Sequence, residues 1–224
     1  MTTQLGIFSE YDSPVYGAGR PGDDYWRTPG WLIEAILPAA HNENGSILDA
    51  GAGDGRIARA LELHHTRPLS RPTITAVEQC AERAAGYPDH WETVAGDFFE
   101  WARREAAAKP KVRRTWGLIV TNPPFAGGGS HLWADWVRHC LLLLHPQGLL
   151  FVLGHGLMFT SEKRIEFWAA MRASFYAWHV SPRRPSFSGD SATDGRLWGW
   201  YEFRRPGPWS IGAPHLRLLE GVWP

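Results

Sequence analysis

Short apolar segments alternate with segments of helical periodicity along most of this chain. The apolar runs predict strands near residues 46–49, 73–78, 91–98, 118–121, 148–153 and 197–203. Apolar positions repeated every three or four residues predict helices near residues 31–37, 56–61, 130–144 and 162–173. Strands that alternate with helices are typical of a single-domain, doubly wound α/β fold, and we expect a final antiparallel pair of strands.

The predicted strand at 118–121 ends at the sequence Asn122-Pro123-Pro124-Phe125. Proline cannot donate to a sheet ladder, so the strand must end there in a rigid turn. The turn offers an amide oxygen from Asn122, a carbonyl from Pro123 and the aromatic face of Phe125. Two acceptors that hold the hydrogens of a planar amine raise electron density on its nitrogen. The turn is therefore a candidate site for chemistry on a planar amino group, although an ordinary proline turn after a buried strand has the same pattern.

A glycine-rich loop follows the first predicted strand and leads into a helix. Gly51 and Gly53 let the backbone pass close to a ligand, and the helix N-terminus presents free N–H groups. Asp49, at the end of the strand, would oppose a diphosphate but attract a cationic amine. Glu78 ends the second strand, where an acid suits ribose hydroxyls. These residues predict a site for an adenosine-containing ligand that also carries positive charge.

A third acid, Asp97, stands at the end of the third predicted strand and is followed by Phe98. Asp97 could accept from an adenine amino group, and Phe98 could lie on the ring. Ligands of open α/β sheets bind outside the carboxyl ends of the strands. We therefore expect these loops and the turn at Asn122 to face one crevice.

The charge balance and the cysteine count restrict the partners that the protein could bind. The 224 residues include 23 basic and 23 acidic side chains, so a nucleic acid would have to be bound by local basic loops. Arg183, Arg184 and Phe187 form such a loop, which could meet phosphates and stack near a base, although a solvated hairpin loop fits equally well. Two cysteines without metal spacing and the lack of a membrane-length apolar run predict no metal, no membrane and a reduced, cytoplasmic compartment.

The sequence resembles class I S-adenosylmethionine-dependent methyltransferases from about residue 20 to about residue 203, in particular DNA adenine-N6 methyltransferases of phage and prophage origin. Phe125 replaces the commoner Tyr of that family, which keeps the stacking face. Five elements carry the resemblance: Tyr25, Thr28 and Pro29 resemble the element that closes over the cofactor's methionine end, 49–55 the methionine-binding loop, Glu78 the ribose-binding acid, Asp97 with Phe98 the adenine pocket, and Asn122, Pro123, Pro124 and Phe125 the catalytic motif.

The resemblance implies a Rossmann-like methyltransferase fold, with a seven-stranded, mostly parallel sheet that ends in an antiparallel hairpin. It divides the chain into an N-terminal cap loop and helix (1–45), the methyltransferase core (46–204) and a C-terminal tail (205–224). It also implies S-adenosylmethionine as cofactor and the N6 amino group of a flipped adenine in DNA as methyl acceptor. Asn122 is then expected to contact the cofactor as well as the amine.

Three other functions stay open. The same four residues occur in methyltransferases of RNA bases and of protein glutamine. The glutamine enzymes generally add an N-terminal helical domain, for which the roughly 45 residues before the glycine-rich loop are too few. The third is a catalytically inactive module that binds S-adenosylmethionine. The sequence does not specify an oligomeric state.

Overall fold

The computed structural model describes residues 25–40, 45–65, 71–108, 116–125, 132–160, 162–187, 195–206 and 214–219. In this part of the chain eight strands form one sheet, in the order β3-β2-β1-β4-β5-β7-β6-β8. The strands are β1 (Ser46–Ala50), β2 (Thr73–Glu78), β3 (Glu92–Ala95), β4 (Trp116–Thr121), β5 (Leu144–His155), β6 (Phe175–Val180), β7 (Trp198–Arg204) and β8 (His215–Leu218). The helices are α1 (Gly30–Glu34), α2 (Arg56–His64), α3 (Ala81–Ala84), α4 (Phe98–Ala108), α5 (Leu132–Leu143) and α6 (Ile165–Met171).

Most of the sheet is parallel. Strands β1 to β5 run in one direction, and β7 lies antiparallel between β5 and β6. Strand β6 therefore points the same way as β5, and the carboxyl ends of β1 to β6 share one edge of the sheet. The predicted α/β fold, with a mostly parallel sheet and an antiparallel pair near its end, is confirmed.

The sheet has eight strands where seven were expected, because the segment assigned to the C-terminal tail contributes β8. Strand β8 pairs in parallel with β6 at the edge of the sheet, and all four of its residues are exposed. Leu216 and Leu218 are 71% and 60% exposed. Leu216 and Leu218 alternate with His215 and Arg217, but four residues without a buried face give too short a pattern to predict a strand.

The core consists of two layers, one on each face of the sheet. Alternate residues of β4 point to opposite layers: Leu118 and Val120 pack with residues of α1 and α2, whereas Ile119 packs with residues of α4 and α5. All three are fully buried. This double covering explains why β4 is a continuous apolar run in the sequence and has no polar alternation.

Helix α1 begins differently from the expectation that Thr28 caps it and Pro29 is its first residue. The helix begins at Gly30, Pro29 stands at the cap position, and no side chain there makes a capping hydrogen bond. Thr28 is only 4% exposed, and its hydroxyl accepts a hydrogen bond from the side chain of Asn122. The Thr28 hydroxyl thus bonds to Asn122, which is distant in sequence, and does not cap the helix.

Candidate functional site

The glycine-rich loop between β1 and α2 forms the floor of a cleft of about 410 Å³. Gly51, Gly53 and Gly55 have φ angles of 73°, 59° and 75°, in the left-handed region that favours glycine. A Cβ atom on Gly53 would lie 2.6 Å from Cε2 of Tyr25. The loop therefore packs directly against the N-terminal segment, by which we mean residues Tyr25–Thr28.

Glu78, at the end of β2, holds this loop in place. Its Oε2 accepts from the backbone N–H of Gly53 at 2.9 Å. Its Oε1 accepts from the backbone N–H of Cys80 at 2.8 Å and from Nε and Nη2 of Arg83 at 3.1 and 2.8 Å. Each carboxylate oxygen has about two acceptor positions, so Oε1 is fully engaged by its three donors. Oε2 has one donor in the ranges that the structure describes, and a ribose hydroxyl could donate to its second position.

Asp54 ties the N-terminal segment to the loop. Its Oδ2 accepts from Nε of Arg27 at 3.0 Å and from Nε of Arg56 at 3.1 Å. Its carboxylate also accepts from the phenol of Tyr25, whose pKa is raised first by burial and then by this negative charge. The guanidinium of Arg56 further donates to the backbone oxygen of Thr28 at 3.0 Å. The segment is therefore fixed over the loop by charge-assisted hydrogen bonds.

Asn122, directly after β4, lines the same cleft as Gly51 and Glu78. Its Nδ2 donates to the backbone oxygen of Trp26 at 2.7 Å and to the hydroxyl of Thr28 at 3.0 Å. A carbonyl oxygen can only accept, so the contact with Trp26 fixes which end of the amide carries the nitrogen. The Oδ1 of Asn122 is buried and has no hydrogen-bond partner within the described part of the chain. The amide is thus oriented with a spare acceptor.

Aromatic rings form the wall of the cleft near the end of β3. Phe98 stacks on Trp136 with ring centroids 4.4 Å apart, and Phe99 meets the same ring edge-on at 5.2 Å. Phe98 is 3% exposed, while Phe99 is half-buried. Asp97 is exposed and accepts from the backbone N–H of Glu100, so it caps α4. A flat ligand could lie along this wall with Asp97 at its edge.

The structure brings together nine of the sequence-predicted site residues and places the others elsewhere. Lining the cleft are Tyr25, Thr28, Gly51, Gly53, Glu78, Asp97, Phe98, Asn122 and Pro124. Pro29, Asp49, Pro123, Phe125, Arg183, Arg184 and Phe187 do not line it. Sequence reasoning missed Trp26, Arg83, Phe99 and Trp136, which also line the cleft. Trp26 and Phe99 adjoin predicted residues in the chain, whereas Arg83 and Trp136 had no such signal.

Solved structures match this chain in fold, although its sequence matches no known family. No protein-family sequence model matches the chain, and no curated protein matches it in sequence. A Listeria monocytogenes protein described as a candidate class I S-adenosylmethionine-dependent methyltransferase matches in structure with a TM-score of 0.65 and 12% identity, over 99% of this chain and 72% of that one. The chain has the fold of a class I methyltransferase.

Two further structures share this class I methyltransferase fold. A modification subunit of a candidate type I restriction enzyme from Vibrio vulnificus YJ016 gives a TM-score of 0.63 at 14% identity, over 91% of this chain and 49% of that one. This chain therefore spans about half the length of that subunit. A candidate RNA methyltransferase from Pyrococcus horikoshii gives 0.59 at 14% identity, over 85% and 92%.

Asp49 lies beneath the loop and not at its surface. The carboxyl group is fully buried, and its Oδ2 accepts from the backbone N–H of Ala58 in α2 at 3.1 Å. Burial, together with the nearby carboxylates of Asp54 and Glu78, raises the pKa of Asp49 to about 8. In this position the side chain holds the start of α2 against β1 and does not line the cleft, so the predicted contact with a cationic ligand is not made.

The predicted nucleic-acid residues lie at the same edge of the sheet, on the segment after β6. Arg183 and Arg184 are exposed, and the Arg183 guanidinium lies 5.0 Å from the centroid of the Trp31 ring. Phe187 was expected to wedge or stack near a base, but it is only 8% exposed and packs against Trp198 at 4.6 Å. The Phe187 ring is buried against the apolar face of Trp198, so Phe187 has a packing role.

The ring of Phe125 packs against two neighbouring aromatic side chains. Its ring meets Trp198 edge-on at 5.1 Å and lies 6.1 Å from the ring of His155. It is half-buried and packs against both layers of the core. The aromatic face expected from the sequence is therefore present beside Asn122 in the chain but packs mainly against the protein.

Two further findings concern metals and membranes. Within the described ranges, no three His, Cys, Asp or Glu side chains come together as a metal ion would require. Of the helices described, none has the length and apolar character needed to cross a bilayer.

Proposed function

We propose that this protein transfers a methyl group from S-adenosylmethionine to the exocyclic N6 amino group of adenine in DNA. The observation that carries the proposal is the oriented amide of Asn122. Its nitrogen is fixed by Trp26 and Thr28, and its buried Oδ1 has no donor among the described residues. A buried acceptor without a donor is unfavourable in the free protein, and an amino group would satisfy it.

The cleft fits S-adenosylmethionine, the cofactor named in the description of the Listeria monocytogenes neighbour. Backbone of the glycine-rich turn and carboxylates of Asp54, Glu78 and Asp97 line the cleft. Arg27, Arg56 and Arg83 also line it and pair with Asp54 and Glu78, so the fit to ribose hydroxyls depends on the acceptor oxygens of Glu78 and not on net charge. Phe98, Phe99 and Trp136 would hold the adenine ring, and Glu78 would hold the ribose.

When bound, S-adenosylmethionine supplies an activated methyl group on a sulfonium. The chain itself has to hold the acceptor amine and keep electron density on its nitrogen. The Oδ1 of Asn122 would accept one amine hydrogen. The backbone oxygen of Pro123, which is buried and does not line the cleft, would reach the second hydrogen only after a shift of the turn. A hydrogen bond from the amine to such an acceptor draws the nitrogen lone pair out of the ring and makes the amine more nucleophilic. Fixing the amine in line with the methyl group lowers the entropic part of the barrier.

Adenine in DNA is the acceptor that the surroundings of Asn122 favour. The Asn-Pro-Pro-Phe sequence resembles the catalytic motif of DNA adenine-N6 methyltransferases, and one structural neighbour is described as a restriction-modification subunit. Exposed Arg183 and Arg184 lie at the same edge of the sheet as Asn122 and can meet phosphates. Because Asn122 lies in a cleft, the adenine would have to leave the base stack to reach it.

The test compares Asn122→Ala with Gln147→Ala, which removes an exposed amide at the opposite edge of the sheet. Each protein is incubated with isotopically labelled S-adenosylmethionine and unmethylated DNA, and the nucleosides are then analysed for N6-methyladenine. We expect the wild type and Gln147→Ala to methylate DNA, and Asn122→Ala to lose turnover while its cofactor dissociation constant stays within about threefold. A fully active Asn122→Ala protein would overturn the catalytic assignment.

The same assay separates the other acceptors. RNA and protein are offered in parallel with DNA under identical conditions. Label that enters RNA or glutamine and not DNA would replace the DNA assignment and keep the role of Asn122. Tight binding of S-adenosylmethionine without transfer to any of the three acceptors would indicate a binding module.

A further inference from the structure

Trp26 is the most exposed of the aromatic residues that line the cleft. Trp26 is 46% exposed, and it lines the same cleft as Asn122. Its backbone oxygen accepts the 2.7 Å hydrogen bond from Nδ2 of Asn122, so the residue stands within a few ångströms of the oriented amide. An indole of this exposure at the mouth of a cleft is an available stacking face.

The other aromatic candidates near Asn122 are engaged in the core. The ring of Phe125 packs against Trp198 and His155 and does not line the cleft. Phe187 is 8% exposed and packs against the same Trp198. Phe98 and Trp136 stack on each other at the end of β3, where the cofactor's own ring would lie. Tyr25 and Phe99 also line the cleft but are half-buried, so Trp26 offers the most exposed aromatic surface there.

We propose that the indole of Trp26 is the platform on which the planar, amine-bearing ring of the acceptor stacks while Oδ1 of Asn122 accepts a hydrogen from its amine. The inference rests on the proposed function and names a residue of the acceptor site. The chemical class of ligand is a flat heterocycle with an exocyclic amine, such as adenine. Stacking is tolerant of sequence because every base has an aromatic face.

Three contacts hold this platform in place. The ring of Phe187 lies edge-on to Trp26, with centroids 6.3 Å apart and planes at 88°. On either side in the chain, Tyr25 and Arg27 are bound by Asp54. Phe187 is buried between Trp198 and Trp26, and its ring therefore supports the indole of Trp26 from the core side. A braced platform loses less entropy when a ligand stacks on it.

The experiment uses Trp26→Ala and Trp26→Phe, with Leu63→Ala as control. Leu63 is a 55% exposed residue of α2 that does not line the cleft. Trp26→Ala removes the ring but keeps the backbone oxygen that orients Asn122. The probes are a single-stranded thymine oligonucleotide with one adenine and the same oligonucleotide with an abasic site in place of that adenine. Their dissociation constants are measured with S-adenosylhomocysteine present, together with the dissociation constant of S-adenosylmethionine.

We expect Trp26→Ala to weaken binding of the adenine probe by about tenfold or more, the usual loss for one stacked base. Binding of the abasic probe and of S-adenosylmethionine should change less than about twofold, and Trp26→Phe should recover most of the loss. Equal losses for both probes, a loss confined to S-adenosylmethionine, or no change would each overturn the inference. If the wild type methylates nothing but the adenine-specific loss occurs, the proposed reaction fails and the stacking role stands.

Discussion

The side-chain amide of Asn122 donates to the hydroxyl of Thr28 at 3.0 Å, across 94 residues of the chain. Thr28 accepts a second hydrogen bond at its backbone oxygen, from the guanidinium of Arg56 at the start of α2. Thr28 therefore connects the glycine-rich loop, which would hold the cofactor, to the residue that would hold the amine. The glycine-rich loop and the oriented amide of Asn122 are thus parts of one hydrogen-bonded unit.

Thr28→Val should lower kcat while leaving cofactor binding nearly intact. Valine has the same shape without the hydroxyl, so the amide of Asn122 loses one of its two acceptors and can rotate. We expect a roughly fivefold lower kcat, from a hydrogen bond worth about 1 kcal/mol. Steady-state kinetics with DNA measure it, and Thr28→Ser, which keeps the hydroxyl, should retain most of the rate. An unchanged kcat with a weaker cofactor would assign the hydroxyl to the cofactor instead.

Gly53→Ala should damage the cleft more than Gly45→Ala. Both glycines have left-handed φ angles, 59° and 69°, so each substitution should cost about 1 kcal/mol of backbone strain. A Cβ on Gly45 would have no atom within 4 Å, whereas one on Gly53 would collide with the ring of Tyr25. Thermal unfolding should show a loss in both variants, and calorimetry should show weaker S-adenosylmethionine binding only in Gly53→Ala. Equal binding in the two would mean that the contact with Tyr25 is unimportant.

Asp54→Asn should release the N-terminal segment from the loop. The neutral amide weakens the contacts with Arg27 and Arg56, and charge-assisted hydrogen bonds are worth about 1.5 kcal/mol or more. We expect roughly tenfold weaker cofactor binding and faster tryptic cleavage after Arg27, followed by mass spectrometry of the fragments. Asp89→Asn, at an exposed position, is the matched control. Identical cleavage rates in the two variants would argue against this role of Asp54.

Asp49 should make the folded protein less stable as the pH rises. The unfolded chain releases the Asp49 proton near pH ~3.9. The folded protein keeps it until about pH 8. Between these values the folded state binds more protons, so the contribution of Asp49 to the free energy of unfolding falls with increasing pH. Denaturant titrations from pH 5 to pH 8 should show a decline in the wild type that Asp49→Asn reduces. Parallel pH profiles in the two proteins would contradict the buried, protonated carboxyl.

The comparison of sequence with structure shows that patterns along the chain locate elements well when both faces of a strand are buried. The run at Leu118–Thr121 predicted β4, because a strand covered on both sides must be apolar at every position. Strand β8 has no buried face and was not predicted. Phe187 looked like an exposed wedge because its neighbours Arg183 and Arg184 are charged, and only packing against Trp198 showed otherwise.

The sequence by itself determined the alternation of strands and helices as far as β5, the glycine-rich turn and the position of Asn122 at the end of β4. These features depend on residues next to one another in the chain: apolar runs, left-handed glycines and prolines that end a strand. Only the tertiary structure decided which way the Asn122 amide faces, that Arg83 forms an ion pair with Glu78, and that Trp26 lines the cleft whereas Phe187 does not. Each of these depends on contacts between residues distant in sequence, which exist only once the sheet has brought its loops to one edge.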